Sequence, residues 1–272
     1  MNDRNLLRKA QIYITNEVVR ICNLHGIHYF LDAGSMLGAV RHKGFIPWDD
    51  DMDIGMLKKD YEMFLYYAQT ELNEDFFIDN YTTNDEYALV FTKVRLKNSL
   101  YLEEKGNQNL KHNEVFVDIF PYYYISDNEF VRKIEGSILA VLSQALMSKS
   151  GIKAWKGENK LKRIKFLPTD FLGMILTKEA LHKWIDTLIN RHSNTHRVCV
   201  HGGSCYNYWY FSRDIFDEYI DICFEGETYK IPKRFDDFLT IAYGDYMTLP
   251  PVERQITHRI LALDLKNYVN KL

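Results

Sequence analysis

Residues 30–56 read FLDAGSMLGAVRHKGFIPWDDDMDIGM. Within them lie an apolar run, a Gly-Ser pair, a helical pattern, a polar loop, and carboxylates set against a second apolar run. Ile27 to Leu31 has strand composition, and Gly34-Ser35 opens a helix through Met36, Leu37 and Val40. Met52 to Met56 reads as the next strand. Asp49, Asp50, Asp51 and Asp53 place four carboxylates within five residues. Strand side chains alternate faces, so Asp51 and Asp53 point the same way with Met52 turned to the other side. Two like charges at that spacing repel, more strongly as the site is buried, and a divalent cation relieves the repulsion. All-oxygen ligands suit Mg²⁺ or Mn²⁺. The bland alternative is a solvated acidic turn, and the flanking Trp48 and Ile54 weigh against it. Gly34 and Ser35, at a helix start, offer backbone N–H groups and the positive end of the helix dipole to a phosphate.

Working outward, residues 5–25 carry Leu6, Leu7, Ala10, Ile14, Val18, Ile21 and Cys22 at helical spacing, with Gly26 as the stop. Residues 58–72 return to the same period. Ala88 to Val94 and Glu114 to Ile119 are strand candidates rich in Val, Phe and Ile. In the second, Val115, Val117 and Ile119 share one face, and Phe116, Asp118 and Phe120 the other. An ionised Asp between two Phe is costly unless paired or coordinated, so Asp118 is a third candidate ligand and catalytic carboxylate. Residues 127–149 and 177–193 read as helices. The expected class is α+β: a mixed sheet with flanking helices over residues 1–125, the catalytic core. A mainly helical, substrate-binding half follows over 126–272.

The 34 Lys and Arg against 37 Asp and Glu leave a net charge of −3, without the basic excess of a general nucleic-acid binder. Apolar runs fall short of the ~18 residues that span a bilayer, and the first 24 residues carry too many charges for a signal peptide. Four cysteines without an export signal read as reduced thiols, which points to a cytoplasmic protein. The basic stretch Lys156, Lys160, Lys162, Arg163 and Lys165 offers peripheral contact with a membrane surface, or is simply a solvated face. His192, His196, Cys199, His201 and Cys205 have zinc-ligand chemistry, although their spacing fits no standard zinc module.

The stretch 30–56 resembles the signature of the LicD family of phosphotransferases, which includes the fukutin-related proteins. FTKVRLKNSLY at 91–101, VFVDIFPYY at 115–123 and IPKRFDDFLTIAYGDYMTLPP at 231–251 extend the resemblance in order along the chain. It implies a nucleotidyltransferase-like fold. It also implies a metal-dependent transfer of phosphocholine from CDP-choline to a sugar hydroxyl of a lipid-linked or polymeric glycan precursor (teichoic acid or lipopolysaccharide), releasing CMP. Carried over by position, Gly34 and Ser35 hold donor phosphate, Asp51, Asp53 and Asp118 hold the metal, and Arg41, Lys93 and Arg95 neutralise phosphate charge. A choline head group calls for aromatic faces, for which Trp48, Tyr122, Tyr123 and Trp209 are candidates. The alternatives are transfer of another alditol or sugar phosphate from a CDP donor, a true nucleotidyltransferase passing on a nucleotide, or a zinc-stabilised binding module.

Overall fold

The computed structural model describes residues 3–104, 112–151, 167–200, 209–255 and 259–271. Helix α1 (Asp3–His25) buries the face its periodicity marks, including Leu7, Ala10, Ile14, Val18, Ile21 and Cys22. It ends at Gly26, whose φ of 63° is the left-handed geometry that glycine adopts without a Cβ clash. Ile27 N then donates back to Cys22 O at 2.8 Å. After β1 (Phe30–Leu31) come α2 (Ala33–His42), β2 (Asp53–Leu57) and α3 (Lys58–Glu71), the order expected from residues 30–72. Next are β3 (Phe76–Asp79), β4 (Thr92–Leu96), β5 (Leu100–Glu103) and β6 (Phe116–Ile125). The rest of the chain forms α4 (Glu129–Lys149), α5 (Leu167–Ile175), α6 (Lys178–Ile189), β7 (Arg197–Val200), β8 (Tyr210–Ser212), β9 (Tyr219–Phe224), β10 (Glu227–Pro232), α7 (Phe235–Tyr243) and β11 (Ile260–Asp264).

Two compact units interleave along the chain instead of dividing it at residue 125. Unit one takes Met1–Asp79, Thr92–Pro121 and Asp214–Leu272; unit two takes Asn80–Phe91 and Tyr122–Arg213. In unit one the strand order is β1-β2-β6-β4-β3. β4 runs antiparallel to both neighbours, pairing Val94 with Ile78 and with Val117. The register of β4 and β6 sets Lys93 directly opposite Asp118. On β6, Val117 and Ile119 are fully buried while Phe116, Asp118 and Phe120 stay partly accessible, the alternation expected of this strand. Between β3 and β4, Arg95 Nε meets Asp79 Oδ2 at 2.6 Å with both side chains buried. Removing one member of such a pair strands a buried charge, typically at a cost of about 3–5 kcal/mol.

In unit two, β6 continues through Tyr122–Ile125 against β7, and β7 pairs with β8. Their inner residues Tyr123, Ile125 and Cys199 meet Leu139, Leu142 and Leu146 of α4 and Leu181, Ile185 and Ile189 of α6. α5 lies close on α4 at Gly173, where a Cβ would sit 2.6 Å from Ala145 O.

The second half of the chain is not mainly helical. Its described residues carry β7 to β11 beside α4 to α7. The β9–β10 hairpin turns on Glu225 and Gly226, with φ of 53° and 89°, the left-handed pair that fits a two-residue hairpin. Its exposed positions mix Ile220 and Cys223 with Asp221, Glu227 and Thr228, which hides the strand period. The strand expected from Ala88 begins only at Thr92, and of the Ile27–Leu31 run only Phe30 and Leu31 pair.

Candidate active site

The acidic loop before β2 has no regular structure of its own and is fixed by its neighbours. Arg8 Nη2 of α1 donates to Ile46 O and Asp49 O, each at 2.8 Å, and Gln11 Nε2 donates to Asp50 O at 2.7 Å. From the β9–β10 turn, Glu225 N donates to Lys43 O at 3.0 Å, and Glu225 Oε1 accepts from Phe45 N at 3.0 Å. The loop's backbone groups thus find partners on distant elements, as buried backbone must. β2 is aligned by Ser35, whose Oγ accepts from Asp53 N at 2.9 Å. Asp32 caps α2 by accepting from Ala33 N at 2.7 Å, and Asp32 N donates to Asp53 O at 3.0 Å.

Asp51 and Asp53 are both partly accessible, with Met52 buried between them. Asp118 comes alongside on β6, where its N–H donates to Met52 O at 3.1 Å. All three carboxyls are held above the usual carboxylate range. Asp51 is pushed up to about 8, by burial first and then by Asp118, Asp50 and Asp49. Burial, then Asp118 and Asp51, raises Asp53 well above its ordinary value. Burial raises Asp118 too, against the opposing pull of Lys93. Carboxylates that raise one another in a desolvated pocket are the donor set a hard divalent cation satisfies, so these residues fit Mg²⁺ or Mn²⁺. Asp49, Asp50 and Asp51 also bring one carboxylate oxygen each to within 4.8 Å of one another. Asp50 is buried and accepts from Tyr101 Oη at 3.3 Å.

Gly34 lies against this cluster. A Cβ there would sit 2.5 Å from Asp49 Oδ2, so the position excludes any side chain while Asp49 keeps its place. The Asp49 carboxylate beside the first turn of α2 shows the preference of a helix start for an anion. Gly34→Ala should displace Asp49 and cost about tenfold or more in turnover, with the melting temperature lowered. Steady-state kinetics beside thermal melts would check this; wild-type turnover would mean that the Gly34–Asp49 approach is dispensable.

The expected phosphate-binding cations are held differently from one another. Lys93 Nζ donates to Asp118 Oδ1 at 2.5 Å and sits 3.4 Å from the Phe116 ring centroid. Arg95 is committed to Asp79 and to Glu114 O at 2.9 Å, although its charge still acts on Asp118. Arg41 Nη1 donates to Tyr246 O at 2.6 Å, and burial lowers its pKa. Of the aromatic candidates, Trp48 is partly buried with its ring edge-on to His42 at 6.1 Å. Tyr122 and Tyr123 are only 2% and 7% exposed. They pack against Phe211 and within the core of unit two respectively, whereas a cage wall needs an open ring face. Trp209 is 38% exposed, and its neighbours at 206–208 lie outside the described residues.

His192 Nε2 pairs with the buried Glu135 at 2.9 Å, His196 N donates to Asp127, and Cys199 Sγ donates to Val200 O. None of the three belongs to a metal-type cluster among the described residues. His201 and Cys205 lie outside those residues, as does the basic stretch Lys156 to Lys165. Cys22 and Cys223 are free thiols.

Sequence reasoning missed Tyr243 and Glu103. The Tyr243 phenol at the end of α7 is raised by burial and then by Asp32, Asp53 and Asp49, which places it at the carboxylate cluster. Glu103 on β5 adds to the shifts of Asp51, Tyr101 and Asp118. Neither sits in an acidic run; the one available signal for Tyr243 was its place within residues 231–251.

Comparison with known proteins bears on this site. Residues 26–137, which hold Gly34, Ser35, Asp51, Asp53 and Asp118, match the family described as "LicD/FKTN/FKRP, nucleotidyltransferase domain". The lipopolysaccharide cholinephosphotransferase LicD of Haemophilus influenzae is 28% identical over 257 residues, covering 88% of this chain and 89% of that protein. The human ribitol 5-phosphate transferase FKRP is 46% identical over 43 residues, 16% of this chain and 9% of that protein. An uncharacterised Rickettsia prowazekii protein is 31% identical over 105 residues, 39% of this chain and 38% of that protein.

Proposed function

We propose, from the premise that this chain is a phosphotransferase of the LicD family, that it transfers phosphocholine from CDP-choline to a sugar hydroxyl of a lipid-linked or polymeric cell-surface glycan precursor, with CMP leaving. The observation that carries this reading is the similarity to a cholinephosphotransferase over most of the chain, joined to three carboxyls raised above their usual range, Asp51 and Asp53 at the entry to β2 and Asp118 on β6.

Asp51 and Asp53 would hold Mg²⁺ or Mn²⁺, which when bound supplies charge neutralisation for the donor's diphosphate, with Asp118 completing the site as the base. The first-turn N–H groups of α2 at Gly34 and Ser35 face anionic ligand chemistry. Lys93 occupies Asp118 Oδ1 and leaves Oδ2 to take the proton of the acceptor hydroxyl. The new bond joins that hydroxyl oxygen to the phosphorus bearing choline, and the phosphorus–oxygen bond to CMP breaks. The positive charge of Arg95 and Arg41 opposes charge build-up on the leaving phosphate. Trp48 is the candidate ring face for the quaternary ammonium.

The similarity to FKRP over 43 residues favours, as a second reading, transfer of an alditol phosphate from its CDP donor. Incubation with Mg²⁺, a glycan acceptor and either CDP-choline or CDP-ribitol separates the two. CMP and a phosphocholine-modified acceptor are expected from CDP-choline, with no pyrophosphate from CTP. Preference for CDP-ribitol would replace choline by the alditol. Pyrophosphate with a CMP-modified acceptor would identify a true nucleotidyltransferase.

A further inference from the structure

Helix α4 is apolar on both sides. Its inner face supplies Leu139, Leu142 and Leu146 to the core of unit two. Its outer face carries Phe130, Ile134, Ile138 and Val141, exposed by 73%, 45%, 46% and 42%. Spacings of four, four and three residues put them in one stripe along the helix. Helix α5, packed on α4 at Gly173, adds Phe171, Met174 and Ile175, exposed by 61%, 73% and 62%. One exposed apolar side chain needs no explanation, but seven on two consecutive, mutually packed helices mark a surface that is covered in use. A water-facing helix would carry charge at these positions.

The sequence between the two helices argues for what covers them. Residues 152–166, outside the described part of the structure, read IKAWKGENKLKRIKF. Six cations stand there against one carboxylate, in a chain whose net charge is −3. A second copy would carry the same cationic stretch in the same link between its own two helices. An anionic lipid surface instead complements both the apolar stripe and the charge. No described helix is long and apolar enough to cross a membrane, so the contact is interfacial.

We propose that the outer face of α4 and α5 is a docking surface for an anionic bilayer, with Phe130, Ile134, Ile138 and Val141 entering the acyl boundary. This deepens the reading given above, in which the acceptor is lipid-linked, by naming the surface that brings the enzyme to that lipid.

The full chain is mixed with vesicles of phosphatidylcholine, with or without about one third phosphatidylglycerol, and bound protein is floated. Wild type should bind the anionic vesicles at least roughly tenfold more tightly than the neutral ones, and less tightly in about 1 M salt. Ile134→Glu/Ile138→Glu should lose roughly tenfold or more in vesicle affinity, with an unchanged melting temperature and unchanged transfer to a water-soluble acceptor. Met174→Gln on α5 gives a second variant that disturbs no core residue, and it should weaken binding several-fold. Wild type failing to bind, or the double variant binding as wild type does, would overturn the proposal. A wild-type dimer that the double variant dissolves would overturn it in favour of a second copy. Failure of the phosphocholine reading shows separately, as absence of transfer to the soluble acceptor while vesicle binding persists.

Discussion

Asp53→Asn is expected to lower turnover by about a thousandfold or more while leaving the melting temperature unchanged or raised. The side chain keeps its size, so the Ser35 Oγ to Asp53 N contact that aligns β2 survives. The lost charge relieves the repulsion from Asp118 and Asp51. Activity and stability should therefore move apart, which a structural aspartate would not allow. Asp51→Asn should behave alike. Asp118→Asn should be equally inactive yet still bind the donor nucleotide, since its effect falls on the proton and on Lys93. Kinetics, calorimetric melts and donor titration check all three variants. Near wild-type turnover in either the Asp51 or the Asp53 variant would remove the metal-ligand assignment.

The second large effect is a stability that falls with rising pH in metal-free protein. An unfolded aspartate loses its proton near 4, whereas in the folded chain Asp51 keeps it up to about 8 and Asp53 is raised well above the ordinary value. Between the two values the folded state binds more protons than the unfolded state, so each unit of pH removes stability. The half-buried His42 and the buried His182 have lowered pKa values, and their contribution runs the other way but ends near 6.5. The range from about pH 6.5 to 8.5 therefore isolates the carboxylates. There the melting temperature should drop by several degrees, about 1.4 kcal/mol per proton and pH unit at most. Added Mg²⁺ should reverse the drop, because a ligand of the ionised folded state stabilises by mass action. A chelated protein more stable at pH 8.5 than at pH 6.5 would contradict the cluster's electrostatics.

The legible parts of this fold are those whose period is undisturbed by distant contacts. The 115–120 run alternates cleanly, and its inward valines and outward Asp118 are found as read. The α1 face and its Gly26 stop hold for the same reason. The Tyr122–Tyr123 pair shows the limit. Aromatic surplus suggested ring faces for a ligand, but in unit two the end of β6 pairs with β7 and packs under α4, so both rings are interior. The β9–β10 hairpin was obscured because its exposed positions mix Ile220 and Cys223 with Asp221 and Glu227, and no period sets the Glu225-Gly226 turn apart. Within the site, Asp51, Asp53 and Asp118 carry their chemistry in local patterns. Tyr243 comes from the far end of the chain and Glu103 from β5, outside the acidic loop, so no local window holds either with Asp51 and Asp53.

The anchoring of the acidic loop has a consequence for how the enzyme comes into being on the ribosome. A nascent chain ending near residue 137 already holds every carboxylate of the cluster. It lacks the Glu225 carboxylate that accepts from Phe45 N across 180 residues, and the Tyr246 carbonyl that takes Arg41 across 205. Contacts of such separation form late, because the intervening chain must first be brought to order. Until translation has passed the last described hairpin and α7, the acidic loop lacks its Glu225 brace, and α2 lacks its Arg41 anchor. The order of synthesis thus acts as a timer: the site is fully braced only once Tyr246 has been made, and a product terminated before it carries the acidic motif without these C-terminal contacts.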